Sequence, residues 1–266
     1  MMKLAGGLKT AVFSWLGYTM KIDDTLRAIR SAGFDAVMLW WDDSFPETYG
    51  RKEDLPDLAR RNGLRIENAH LTYQGIDALW EDTVDGEEWA SKLLRLTEQC
   101  ADYGIPTVVA HLTQARPHPA DGELGLCRLN RLAELAERRG INVAFENVRQ
   151  PETLDYLFTH IDSPRFGVCF DSGHNHHYSP ERNILKEFRD KIMAVHLHDN
   201  DSTADQHRIP FDGTIAWDEV MRGLAASTFN GTLALEVERD RSVLYHNMPV
   251  ETFLEWAHCA LQRLAD

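Results

Sequence analysis

The sequence predicts an α/β protein, a single (β/α)8 TIM barrel over residues 1–266, and three observations predict it. Short apolar or β-branched runs alternate with longer amphipathic stretches eight times over. Glycines stand just past the helical patterns, where a left-handed C-cap is wanted. The 266 residues also match the roughly 250 typical of an eight-stranded barrel.

The strand candidates are residues 10–15, 35–41, 65–71, 107–113, 142–148, 166–172, 193–199 and 232–238. They are continuous apolar runs rather than strict alternations, as suits parallel strands covered by helices. Helix candidates between them repeat apolar residues at helical spacing. Leu93, Leu94, Leu96 and Cys100 mark one, and Leu129, Leu132, Leu135 and Ala136 another. Gly33, Gly63, Gly104 and Gly140 fall at C-cap positions, while Asp23, and Pro249 with Glu251, suit helix starts. Repeated βα units leave an open doubly wound sheet or a closed barrel. Eight units in this length favour the barrel, and no GxGxxG loop follows the first strand.

Composition narrows the function. The formal charge is −14, from 28 Lys and Arg against 42 Asp and Glu, which counts against nucleic acid as a partner. No apolar run approaches the roughly 20 residues that cross a bilayer. Gly6, Gly7 and Lys9 interrupt the N-terminal stretch where a signal peptide needs an unbroken apolar run, so a cytoplasmic protein is expected. Cys100, Cys127, Cys169 and Cys259 lie far apart in apolar patterns, and buried free thiols are expected.

In such a barrel the chemistry collects at the C-terminal ends of the strands. The third strand brings His70 there, the fourth His111, the fifth Glu146 and the sixth Asp171. The seventh brings His196 and His198, and the eighth Glu236 and Glu238. His174 follows the sixth strand, and Asp205 and His207 follow the seventh. A lone histidine at a strand end is ordinarily a hydrogen-bonded structural residue. Several carboxylates converging on one mouth instead repel, and a divalent cation with carboxylate and imidazole ligands resolves that repulsion. The rim therefore predicts a metal site. His196 and His198 share a face, so spacing alone leaves either as the ligand. His176 and His177 in a polar loop, His118 between prolines, and His160, His246 and His258 are given structural or solvated roles.

FENV at 145–148, DSGH at 171–174, VHLHD at 195–199, HRIPFDGTIAW at 207–217 and LEVE at 235–238 resemble the xylose-isomerase-like TIM barrel superfamily. That group includes sugar and sugar-phosphate isomerases and epimerases, and also the apurinic endonuclease IV family. The resemblance implies one divalent metal held by Glu146, Asp171, His196 and Glu236, with His196 heading the HLHD motif. Oxygen-rich donors suit Mn or Mg, and added imidazoles suit Zn. Endonuclease relatives use five further ligands, which match His70, His111, His174, Asp205 and His207. These five bind either more metal or a substrate.

The implied activity is isomerisation or epimerisation of a keto-sugar or sugar derivative, by proton transfer through a metal-stabilised enediolate. Glu146 and Glu236 would remove and return the proton. His174, His70 and His207 would line the sugar site, and Trp15, Trp40 and Trp41 would either stack on the sugar or pack at the rim. Two alternatives stand beside it. One is a zinc phosphodiesterase acting at abasic DNA sites, for which Tyr73 matches a residue of DNA-bound relatives. The net charge and the acidic segment at 40–50 oppose it. The other is a non-catalytic metal- and sugar-binding barrel. Arg208 is the one arginine expected near the seventh-strand rim, and no basic cluster marks a phosphate site. The resemblance also allows a homo-oligomer.

Overall fold

The computed structural model describes residues 9–44, 49–117 and 122–265. Eight strands run parallel: β1 (Thr10–Phe13), β2 (Ala36–Trp41), β3 (Arg65–Leu71), β4 (Thr107–Ala110), β5 (Asn142–Glu146), β6 (Phe166–Asp171), β7 (Ile192–His196) and β8 (Leu233–Leu235). Each pairs with its neighbour in sequence, and β1 also pairs with β8. The ring closes just beyond β7, where the Leu197 amide donates to the Ala234 carbonyl at 2.9 Å and accepts the Glu236 amide on its own carbonyl at 3.1 Å. The result is a (β/α)8 barrel, with each strand starting within one residue of the predicted start and several ending two or three residues earlier than predicted.

Helices cover the outside: α1 (Ile22–Ser31), α2 (Leu55–Arg61), α3 (Val84–Asp102), α4 (Glu123–Arg139), α5 (Glu152–His160), α6 (Ser172–Tyr178), α7 (Ile184–Glu187), α8 (Trp217–Ala226) and α9 (Val250–Ala265). The apolar stripes face inward: α3 buries Leu93, Leu96 and Cys100, and α4 buries Leu129, Leu132 and Ala136. Gly33 and Gly140 end α1 and α4 at φ of 103° and 68°, the left-handed turn that lets each chain segment drop back into the barrel. Among the described residues, no helix is long and apolar enough to cross a membrane.

Several expectations need correction. Strand β8 is shorter than 232–238, because the Glu236 carbonyl accepts from the His207 side chain and the Glu238 amide donates to the His207 carbonyl instead of to a neighbouring strand. Cys100 and Cys169 are buried, but Cys127 and Cys259 lie exposed on the outer faces of α4 and α9. His176 and His177 sit on α6, not in a loop. Trp41 is fully buried against Tyr103, behind the sheet. Adjacent strand residues point to opposite faces, so only Trp40 of that pair turns to the mouth. His118, and residues 45–48 of the acidic segment, lie outside the described residues.

The barrel interior positions the site. Val109, Ala144, Cys169 and Ala194 form a small buried cluster of their own. Each stands two residues before His111, Glu146, Asp171 or His196, hence on the same inward face. Compact side chains thus floor a layer of imidazoles and carboxylates.

Candidate metal centre at the barrel mouth

Glu146, Asp171 and His196 are the last residues of β5, β6 and β7, and Glu236 follows β8 directly. Local hydrogen bonds fix these ends. The Asn147 side chain accepts the Asp171 amide at 2.7 Å and donates to the Asp171 carbonyl at 2.9 Å. Asp171 caps α6 by accepting the His174 amide at 2.6 Å. The Ser172 hydroxyl accepts the His198 amide at 3.0 Å and donates to the His198 carbonyl at 2.8 Å. The FENV and DSGH motifs are therefore clamps between strands as well as sources of candidate ligands.

The four side chains converge, with ligand atoms all within 4.8 Å of one another. His196 Nδ1 lies 2.8 Å from Glu146 Oε1 and 3.3 Å from Glu236 Oε2. The His111 Nε2 is 2.7 Å from Glu146 Oε2, and the His70 Nε2 is 3.3 Å from the same oxygen. His70 donates its Nδ1 proton to the Leu71 carbonyl at 2.9 Å and turns its Nε2 to Glu146. Among the described residues, only histidines stand within ion-pairing distance of Glu146, Asp171 and Glu236.

Burial pushes the Glu146 carboxyl up, but His196, His111 and His70 outweigh it and hold the group well below the usual carboxylate range. Glu236 is held low against burial chiefly by His196. Burial opposes the charged form of His196, yet Cys169, Glu236 and Glu146 raise it well above the ordinary imidazole value. Burial lowers His111, and its bond to Glu146 only partly offsets this.

Three buried carboxylates and an imidazole are a donor set that fits a divalent cation. A second observation agrees. His174 Nδ1 is buried without a hydrogen-bond partner and faces Asp171 Oδ1 at 3.7 Å and Glu146 Oε1 at 3.8 Å.

A second group adjoins the first. His174, His198, Asp205 and His207 also bring ligand atoms within 4.8 Å of one another, as do His70, Glu146 and His196. Asp205 and His207 arrive on the loop after β7, which buried Asp199 organises. That carboxylate accepts the amides of Asn200 (2.9 Å), Phe211 (2.9 Å) and Ile215 (3.1 Å) and the Trp217 indole N–H (2.8 Å). A Cβ on Gly213 would sit 2.2 Å from Asp199 Oδ1, so the HRIPFDG motif needs its glycine. His207 itself has a left-handed backbone, φ 43°, a strain the surrounding bonds sustain. It donates Nδ1–H to the Glu236 carbonyl at 2.8 Å and turns Nε2 to Asp205 Oδ2 at 3.1 Å. Burial resists the charge on His174 and His207, but Asp171 raises the first and Asp205 the second.

A cavity of about 420 Å³ opens over these groups. Of the residues that the sequence nominates, His70, His111, His174 and His207 line it, with Glu146 and Glu236 at the floor. Trp15 and Trp40 form one wall, edge-on to each other at 5.4 Å. The Trp15 indole donates to Glu238 Oε1 at 3.2 Å. Asp171 and His196 do not line the cavity and lie fully buried. Arg208 points elsewhere, to Asp201 Oδ2 at 2.9 Å. The arginines that do reach the cavity, Arg149 and Arg241, were not nominated by the sequence. Their signal was position: each lies three to five residues past a rim glutamate.

The profile of the family described as xylose isomerase-like TIM barrel matches residues 26–257. The chain belongs to this family. It is similar to an inosose isomerase of Bacillus velezensis, 24% identical over 257 residues that cover 87% of this chain and 88% of that one. Several other curated relatives are matched over less than half of their length; protein y4fM of Sinorhizobium fredii is 31% identical over 135 residues, 48% of this chain and 42% of that one. Among solved structures, D-psicose 3-epimerase with D-tagatose from Clostridium cellulolyticum H10 superposes with a TM-score of 0.77 at 14% identity, over 97% of this chain and 98% of that one. The IOLI protein with a bound zinc atom gives 0.76 at 19% identity, over 97% and 98%. At such identities the structural likeness shows the fold alone.

Proposed function

We propose that this protein is a divalent-metal-dependent isomerase or epimerase of a keto-sugar or cyclic sugar derivative. One observation carries the reading: Glu146 and Glu236 meet at a single imidazole, that of His196, on the floor of an open cavity with an aromatic wall. The names of similar proteins support it, an inosose isomerase and a D-psicose 3-epimerase, and so does the zinc of the IOLI structure.

Glu146, Asp171, His196 and Glu236 would hold the cation. Once bound, it supplies Lewis-acid chemistry, polarising a substrate carbonyl and acidifying the adjoining C–H. Glu146 and Glu236, both held in the ionised range, are proton acceptors at neutral pH. One takes the proton from the carbon beside the carbonyl; the other, having first taken up a proton from solvent, delivers it to carbon, and the first then releases its proton to solvent. Return to the opposite face of the same carbon gives an epimer, and delivery to the adjoining carbon gives an isomer. His111 and His70 orient Glu146 through its Oε2. His174 and His207 offer polar contacts for substrate oxygens, and Trp15 and Trp40 offer faces for its C–H groups.

The test is incubation of metal-loaded protein with a panel of ketoses and inososes in D2O. Deuterium at the carbon beside the carbonyl of at least one is the expected result. Absence of exchange throughout, together with nicking of an abasic duplex, would replace this reading with phosphodiester hydrolysis.

A further inference from the structure

We infer that Arg241 is a built-in counter-cation that keeps a metal ion out of the His174, His198, Asp205 and His207 group, leaving His174 and His207 to the substrate. The inference rests on the proposed isomerase reading of the mouth, and deepens it.

By donor type alone the group invites an ion: one carboxylate and three imidazoles, with ligand atoms within 4.8 Å of one another. Its one carboxylate is already engaged, however. Asp205 Oδ2 accepts from Arg241 Nη1 at 3.1 Å and lies 3.1 Å from His207 Nε2. His198 Nε2 lies 3.0 Å from Asp171 Oδ1, so this ring belongs to the neighbouring metal centre. Oδ1 of Asp205 and the Nδ1 atoms of His174 and His198 lack hydrogen-bond partners.

The guanidinium is itself fixed. Arg241 Nε donates to Glu238 Oε2 at 2.9 Å, and Glu238 is held from its other oxygen by Trp15 at 3.2 Å. An arginine stays charged at every accessible pH and bridges two carboxylates as a rigid fork. A divalent ion on Asp205 would lie beside that fixed positive charge and would have to displace it. Arg241 thus neutralises Asp205 without presenting an open coordination position, and the aromatic wall becomes part of the same device through Glu238. On this basis a residue outside the ligand set decides how many ions the mouth carries.

The experiment counts zinc per chain by elemental analysis, after saturation with zinc alone and desalting. Arg241→Gln is expected to bind one more ion than the wild type, and Arg241→Lys to keep the wild-type count. Adding Asp205→Asn to Arg241→Gln should remove the extra ion. Asp205→Asn alone, which leaves Arg241 paired with Glu238, should match the wild type. An unchanged count in Arg241→Gln, or an ion lost in Asp205→Asn alone, overturns the inference. Metal counts need no turnover, so they stand or fall separately from the deuterium exchange that tests the isomerase reading.

Discussion

A Cβ on Gly173 would lie 1.9 Å from Cε1 of His198, so the imidazole of the seventh strand fills space that only glycine leaves on α6. That ring sits 3.0 Å from Asp171 Oδ1 and so orients a proposed metal ligand from behind. Residues bonded to ligands set their angle and basicity, and their loss typically costs about 10–100-fold in metal affinity. Gly173→Ala should push His198 aside and weaken zinc binding by about that factor, read by calorimetric titration of the metal-free protein. Undiminished affinity would mean that Asp171 needs no such support.

Asp199 makes a separate prediction about the loop that delivers Asp205 and His207. Three backbone amides and one indole converge on a carboxylate with no solvent exposure. Removing it leaves several buried donors unpaired, each worth about 1–3 kcal/mol. Asp199→Ala should therefore lower the unfolding free energy by about 3 kcal/mol or more in urea titrations. A loss under about 1 kcal/mol would show that water replaces the carboxylate.

The barrel was legible because its signals are local. Apolar runs and helix-ending glycines are written within each βα unit, and a residue at a strand end is at the rim wherever the chain goes next. Glu146, Asp171, His196 and Glu236 come together for that reason alone. Arg241 was not legible, since its approach to Asp205 depends on the path of two loops that no period describes. Strand parity could not separate His196 from His198 either. Height along the chain does: His196 meets Glu146 and Glu236, while His198 meets Asp171 and Asp205 from the side. Trp40 and Trp41 show the opposite case, where parity should have separated a wall residue from a core residue.

The aromatic wall has its own test. A stacked aromatic contributes about 0.5–1.5 kcal/mol beyond its buried area, up to about a ten-fold change in binding. Trp15→Ala should raise KM about ten-fold for a substrate found by deuterium exchange and leave zinc affinity unchanged. Trp15→Phe, which keeps the ring but loses the bond to Glu238, should recover most of the affinity. Equal defects in both variants would assign the role to that bond rather than to stacking.

His258 provides a pH-dependent readout far from the mouth. Its ring packs edge-on to Phe34 at 5.0 Å, and burial lowers its pKa below the ordinary value of 6.5. Below that value the unfolded chain takes up a proton that the folded ring resists, so this group's contribution to stability falls as pH drops through 6.5 toward the folded pKa. His258→Leu should therefore lose less stability than the wild type between pH 7 and pH 5, compared by thermal melts. Parallel pH slopes would contradict the burial effect.

The central claim is that Glu146 and Glu236 carry a proton between faces or carbons of a sugar bound at one metal centre. Exchange of the substrate α-proton with D2O, followed by NMR in the wild type, Glu146→Gln and Glu236→Gln with metal content measured alongside, tests it most directly. The expected result is exchange in the wild type and none in at least one variant that retains its metal. Undiminished exchange in both metal-loaded variants would contradict it.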